Sequence, residues 1–89
     1  MTIINAIKKL EKNGFVIKEW ENNKGIMSAR KEGYKHYIDI FRNGGEYSND
    51  IAVIDVRSPD MLDDPMTDYH AGTFCENITQ AIRFVNDWK

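Results

Sequence analysis

The chain has 89 residues, a formal net charge of −2 and a single cysteine. A chain of this length buries only about 60–65% of its unfolded surface, so we expect a single domain over residues 1–89, and one cysteine cannot form an intrachain disulfide. The longest apolar runs are far shorter than the roughly 18–20 residues that span a bilayer, and the N-terminus lacks the features of a signal peptide, so we expect a cytoplasmic protein.

A helix is predicted over Ile3–Asn13. Apolar residues recur there at helical spacing, with Ile7 and Leu10 continuing the stripe, and Thr2 precedes it as an N-cap. Gly14 follows as a residue that tolerates positive φ and can terminate the helix.

Four segments after this helix have the β-branched and aromatic composition of strands. The last two give the strongest structural signal, a hairpin whose connection, Asn43–Asp50, is a cluster of turn-forming residues. The predicted strands are Phe15–Trp20, Ile26–Lys31, Tyr34–Arg42 and Ile51–Ser58.

The two hairpin strands alternate between apolar and mixed positions, which assigns their side chains to two faces of a sheet. The first face is purely apolar and should meet the helices, whereas the second combines aromatic, aliphatic and charged side chains. The first set is Ile38, Ile40, Ile54 and Val56. The second set is Tyr37, Asp39, Phe41, Val53, Asp55 and Arg57.

Two registers of the hairpin are possible, and they predict different cross-strand pairs on the second face. One register places Asp39 opposite Asp55 and Tyr37 opposite Arg57, and facing carboxylates repel unless a cation intervenes. The other register pairs Asp39 with Arg57 as an ordinary ion pair. We interpret the face as a solvated, salt-bridged surface; the alternative is that these four residues form a second site, for a small ligand, a metal or a partner.

The C-terminal third begins with a predicted loop, Ser58–Asp68, which contains two prolines and four aspartates. Tyr69–Phe74 is predicted as a short edge strand. Asn77 and Gln80 form a capping pair for a second amphipathic helix, which we expect to end near Trp88.

The order of helix, four to five strands and helix predicts an α+β domain. An antiparallel sheet with the N- and C-terminal helices packed on one face hides the apolar side of each layer against the other. Cys75 is expected to be a small core residue, because the apolar residues Phe74 and Ile78 flank it in the sequence.

The charge is unevenly distributed along the chain. Residues 1–45 contain nine basic and five acidic side chains, whereas residues 46–89 contain three basic and nine acidic ones. Folding can mix the two sets over the surface, or it can leave an acidic end that faces a basic partner.

The acidic loop interleaves aspartates with methionine, leucine and tyrosine, a composition that suits a protein-docking surface. The alternative is a lid, in which the apolar members fold back and the aspartates keep the loop soluble. The candidate partner-binding residues are Asp60, Met61, Leu62, Asp63, Asp64, Met66, Asp68 and Tyr69.

We predict no metal site, cofactor or catalytic residue. His36, His70 and Cys75 lack the spacing of metal ligands, and the sequence contains no nucleotide-binding or nucleophile motif. The basic residues of the first half could contact RNA or DNA, but the net acidity argues against direct nucleic-acid binding.

A homodimer is left open by the sequence, because apolar groups exposed on the second face of the sheet would favour self-association if no loop covers them. The residues expected there are Phe15, Ile17, Phe41 and Val53.

The segment Asp64–Phe84, together with the pattern Tyr-x-Asp-Ile-x-Arg-Asn-Gly that starts at Tyr37, resembles small proteins encoded by phages and prophages of low-GC Gram-positive bacteria. The resemblance implies a biological context, but it identifies no functional residue. Such proteins are often non-enzymatic, and some, including anti-CRISPR proteins, bind and block a host defence complex.

We therefore expect a non-enzymatic protein-interaction module, a phage-type inhibitor that binds a host protein or protein–nucleic-acid complex in the host cytoplasm. The expected contacts are the Asp60–Tyr69 loop and the Glu46–Asp50 turn. The alternatives are a nucleic-acid-binding module that uses the basic N-terminal half, and a small ligand-binding domain.

Overall fold

The computed structural model describes residues 2–19, 26–44, 49–58 and 73–87. Helix α1 spans Ile3–Lys12 and helix α2 spans Ile78–Asp87. The strands between them form one antiparallel sheet of five strands in the order β1-β2-β3-β4-β5, which confirms the predicted α+β class. The strands are β1 Phe15–Glu19, β2 Ile26–Lys31, β3 Tyr37–Arg42, β4 Ile51–Arg57 and β5 Thr73–Cys75.

Helix α1 is held at its start by the predicted cap and by the segment before β4. Oγ1 of Thr2 accepts a hydrogen bond from the backbone N–H three residues later at 3.2 Å. Asn49 accepts two more at 3.0 Å, one on its backbone oxygen from Ile3 and one on Oδ1 from Ile4. After the helix, Gly14 adopts a φ of +90°, a conformation that a residue without Cβ adopts at little cost.

Helix α2 begins with the predicted capping pair. Oδ1 of Asn77 accepts a hydrogen bond from the N–H of Gln80, and Oε1 of Gln80 accepts one from the N–H of Glu76, both at 2.8 Å. The two bonds satisfy backbone donors that the helix itself leaves free. Neither α1 nor α2, the two helices in the described ranges, is long and apolar enough to cross a membrane.

The hydrophobic core is one layer between the sheet and the two helices. The four apolar hairpin residues predicted to meet the helices are buried, with exposures of 5% or less. Because residues of both helices belong to the same buried cluster as these four, α1 and α2 cover the same face of the sheet. The helical members are Ile3, Ala6, Leu10, Ile78, Ala81, Ile82 and Val85.

Some predicted boundaries differ from the observed ones. Strand β3 begins at Tyr37 rather than at Tyr34, and β5 includes Cys75. The part of the predicted edge strand before residue 73 lies outside the described residues. The same holds for Trp20 and Trp88 and for the predicted loop beyond Ser58.

The expectation that Phe15 and Ile17 are exposed on the second face of the sheet is wrong. The register of β1 and β2 pairs Ile17 with Ala29, which is buried in the core. Phe15 therefore lies in the core at 3% exposure and Ile17 packs against it, whereas Val16, between them, is 73% exposed. Phe41 and Val53, the other two residues expected to be exposed there, are half-buried.

Replacement of Leu10 by alanine should lower the free energy of unfolding by about 2–5 kcal/mol, because it deletes fully buried methyl groups. Leu10 has an exposure of 0%, whereas Ile4, on the same helix, is 55% exposed. Ile4→Ala is therefore the matched control, with an expected change within about 0.5 kcal/mol. Urea unfolding followed by circular dichroism measures both, and equal losses would contradict the packing of α1.

Candidate functional site

The pairing of β3 with β4 decides between the two registers considered from the sequence. Asp39 lies directly opposite Asp55, and Tyr37 lies opposite Arg57. Ser28 of β2 pairs with Asp39 from the other side. The sheet thus brings the four residues of the predicted second site together with one more, and we call these five residues the carboxylate cluster.

Four members of the carboxylate cluster are buried, and Arg57 is half-buried. Asp39 is 1% exposed and Asp55 is 6% exposed. The expectation of a solvated face is therefore wrong for this part of the sheet, although the expected ion pairs are present. Burial matters because an ionised carboxylate away from water costs on the order of several kcal/mol unless it is paired and hydrogen-bonded.

Arg57 lies within ion-pair distance of both carboxylates. Its Nη1 is 3.8 Å from Oδ2 of Asp39, and its Nε is 3.7 Å from Oδ2 of Asp55. Both distances exceed the roughly 2.7–2.9 Å of a charge-assisted hydrogen bond, so the attraction is mainly coulombic. One guanidinium therefore faces two carboxyl groups.

The two carboxyl groups differ in their hydrogen bonds. Oγ of Ser28 donates a hydrogen bond of 2.6 Å to Oδ1 of Asp39. Oδ1 of Asp55 is also buried, and no group in the described part of the chain donates a hydrogen bond to it. A hydrogen bond to a carboxylate favours its charged form, so Asp39 is better prepared than Asp55 to carry a negative charge.

The pKa values of both aspartates follow from this environment. Burial raises the pKa of Asp39 above its ordinary value of 3.8, while the Ser28 hydroxyl and the charge of Arg57 oppose part of that increase. Burial also raises the pKa of Asp55; Arg57 opposes the increase and the negative charge of Asp39 adds to it. Because the two carboxyl groups face each other, ionisation of both at once is disfavoured.

A second cation borders the carboxylate cluster. The guanidinium carbon of Arg30 lies 4.2 Å from the centre of the Tyr37 ring, within the range of a cation–π contact. Arg30 is exposed, and its charge also opposes the increase in the pKa of Asp39. The positive charge of Arg30 therefore stabilises the ionised form of Asp39.

Strand β5 borders the cluster beside Asp55. Phe74 pairs with Asp55 and is 76% exposed, so a large exposed aromatic side chain lies next to a buried carboxyl group. Cys75, the next residue, was predicted in the core; it is half-buried and packs against the core without belonging to its buried cluster. Burial raises the pKa of the Cys75 thiol, and the negative charge of Asp55 adds to the increase.

Sequence reasoning missed the roles of Ser28, Arg30 and Phe74. Ser28 and Arg30 lie on a strand whose pairing with the hairpin cannot be read from composition. The exposure of Phe74 depends on its position in an edge strand of three residues. In the sequence, alternation within Met27–Arg30 was the one signal that could have placed Ser28 and Arg30 on one face.

The candidate partner-binding residues all lie outside the described ranges. They are Asp60, Met61, Leu62, Asp63, Asp64, Met66, Asp68 and Tyr69. Of the Glu46–Asp50 turn, Asn49 and Asp50 are described, and both are exposed.

Two other features of the described residues bear on possible sites. Within the described ranges, no three His, Cys, Asp or Glu side chains are grouped in a way that could hold a metal ion. An open depression at the start of α2 is lined by polar side chains and is separate from the carboxylate cluster. Its lining residues are Glu76, Asn77, Thr79, Gln80 and Arg83.

Comparisons of the chain with protein-family models, with curated proteins and with solved structures found no match. The function must therefore be inferred from the side chains themselves. Among the described residues, the carboxylate cluster and the exposed Phe74 beside it are the features with the most distinctive chemistry.

Replacement of Ser28 by alanine should lower the free energy of unfolding by about 1–3 kcal/mol at neutral pH, because a buried carboxylate oxygen loses its donor. The loss should be smaller near pH 4, since the hydroxyl stabilises the ionised form of Asp39. Thr79→Ala is the control, because Thr79 is exposed and accepts its hydrogen bond from Lys9 at the surface. Equal losses in the two variants under urea unfolding would contradict the assigned role of Ser28.

The Cys75 thiol should react slowly with iodoacetamide at neutral pH, because burial and the charge of Asp55 raise its pKa. Asp55→Asn should shift the pH profile of alkylation to lower pH. Glu76→Gln, which removes an exposed acid next to Cys75 in sequence, should leave the profile unchanged. Mass spectrometry of timed reactions gives the profiles, and an unshifted profile for Asp55→Asn would show that Asp55 does not act on the thiol.

Proposed function

We propose that the protein is a non-enzymatic interaction module that binds and blocks a host defence or nucleic-acid-handling complex. The observation that carries the proposal is that the clustered ionisable side chains contact one another and are buried. Asp39 accepts a hydrogen bond from Ser28 and faces Arg57 at 1% exposure. A substrate could reach these groups only by displacing their present contacts, so the exposed surface is the better candidate for function.

Phe74 supports a docking surface at β5. Exposed aromatic residues are enriched among the side chains that contribute most to protein–protein affinity. Phe74 is one of three large hydrophobic residues exposed in the described ranges. It follows the acidic Asp60–Tyr69 segment in the sequence, so the chain joins an aromatic anchor to a group of carboxylates.

The charge of the second half of the chain supports a basic partner. Residues 46–89 contain nine acidic and three basic side chains. Such an excess accelerates association with a positively charged surface and disfavours acidic partners. Proteins that bind nucleic acids present positively charged surfaces to the phosphates. Spaced carboxylates can bind to the same positively charged surfaces.

The test compares two triple charge reversals that change the net charge equally. Asp60→Lys, Asp63→Lys and Asp64→Lys alter the proposed docking segment, whereas Glu11→Lys, Glu32→Lys and Asp87→Lys alter three exposed acids of the described ranges. The immobilised protein should capture a partner from a nuclease-treated lysate of a low-GC Gram-positive bacterium. The first variant should lose at least tenfold in affinity for that partner, and the second should retain it. Phe74→Ala should weaken binding by about tenfold or more.

The captured partner must then be shown to be blocked. Wild-type protein should prevent the purified partner from binding nucleic acid in a mobility-shift assay, and the docking-segment variant should not. Equal capture by both charge variants, or a partner that binds nucleic acid undisturbed, would contradict the proposal. A shift of nucleic acid by the wild-type protein alone at low salt would instead favour the nucleic-acid-binding alternative.

A further inference from the structure

In the described part of the chain, the two carboxyl groups of the Asp39–Asp55 pair share one guanidinium within ion-pair distance, that of Arg57. Among the described residues, the charged and titratable groups around the pair come from four strands. Strand β2 contributes Arg30 beside the Ser28 hydroxyl, and β3 contributes Tyr37. Strand β4 contributes Arg57, and β5 contributes Cys75, whose thiol senses the charge of Asp55.

These groups favour negative charge on Asp39 over Asp55. Asp39 accepts the Ser28 hydrogen bond at 2.6 Å and is within the influence of both arginines. Among the described residues, Asp55 has the 3.7 Å contact with Arg57 alone, and none of them donates a hydrogen bond to its Oδ1. A buried oxygen without a donor is tolerated far better on a neutral carboxyl group than on a carboxylate.

We infer that Asp55 retains a proton at pH values where an exposed aspartate is ionised, and that release of this proton weakens the attachment of β5 to β4. The carboxylate cluster then acts as a pH-sensitive element in the sheet. This inference does not depend on the proposed partner, since it concerns the chain alone.

Strand β5 is the element most able to respond. It is an edge strand of three residues, and Asp55 is the central residue of its three pairs with β4. An ionised Asp55 gains hydration when the strand beside it separates, and edge segments with few contacts open at a lower free-energy cost than central ones. The neighbouring central strands are fixed by the apolar layer on their other face.

The sign of the pH dependence follows from the direction of the pKa shift. Burial raises the pKa of Asp55 in the folded protein. Its contribution to stability is therefore fully present below the ordinary pKa and is lost as the pH rises through the folded pKa. The ratio of attached to separated β5 should fall by up to tenfold per pH unit between the ordinary pKa and the folded pKa of Asp55.

Carboxyl-carbon NMR titration of the wild-type protein tests the first half of the inference. Asp55 should titrate above 3.8, its ordinary pKa, and later than Asp39. Asp39→Asn should move the Asp55 midpoint to lower pH, because a like charge disappears and Arg57 faces a single carboxylate. A wild-type Asp55 midpoint at or below the ordinary value, or one that Asp39→Asn leaves in place, would overturn the inference.

Amide hydrogen exchange in Thr73–Cys75 tests the second half. After correction for intrinsic exchange, protection in the wild type should fall by up to tenfold per pH unit between 3.8, the ordinary aspartate pKa, and the Asp55 midpoint, and it should level off above that midpoint. Asp55→Asn should make protection independent of pH in that window, and Glu76→Gln should behave as the wild type. The same pH dependence in Asp55→Asn and wild type would overturn the coupling to β5. If Asp55→Asn does not fold, a wild-type protection that stays constant from pH 3.8, the ordinary aspartate pKa, up to the Asp55 midpoint overturns it equally.

Discussion

A single guanidinium shared between two buried carboxyl groups is the interaction on which the second face of the sheet depends. Arg57 lies 3.8 Å from Asp39 and 3.7 Å from Asp55, and the two acids face each other across the central strand pair. Without a nearby cation, this pairing would be destabilised by desolvation and by repulsion. Arg57 reduces both costs, and Ser28 reduces the cost at one of the two acids.

The opposite face of the sheet explains why the chain adopts this pairing. In the observed register, Ile38 faces Val56 and Ile40 faces Ile54, and all four lie in the core. A shift of the β3–β4 register by two residues would keep every side chain on its face of the sheet, but it would place Ile38 opposite Ser58. The apolar layer thus selects the register, and the facing carboxylates are a consequence that Arg57 makes tolerable. The buried acids are in this way tied to the fold, and the proposed partner contact is therefore assigned to exposed groups such as Phe74.

The helices, their caps and the four core residues of the hairpin could be predicted because local periodicity and capping chemistry determine them. The choice between Asp55 and Arg57 as the partner of Asp39 could not, because both registers preserve the same alternation. The face of Phe15 was predicted wrongly because Phe15, Val16 and Ile17 are all apolar, so that only pairing with β2 distinguishes them. Burial of Asp39 and Asp55 was unexpected since aspartate is usually exposed, and it arises from tertiary packing rather than from any local pattern.

The most direct test of this account is the stability of Asp55→Asn as a function of pH. Urea unfolding of the variant and the wild type should give similar free energies near pH 3.8, the ordinary aspartate pKa, because burial raises the pKa of Asp55 above that value. As the pH rises to 8, the variant should become the more stable of the two, since it has no second carboxylate to bury. A variant that is less stable than the wild type by the same amount at both pH values would contradict the claim that the cluster contains one more acid than Arg57 can balance.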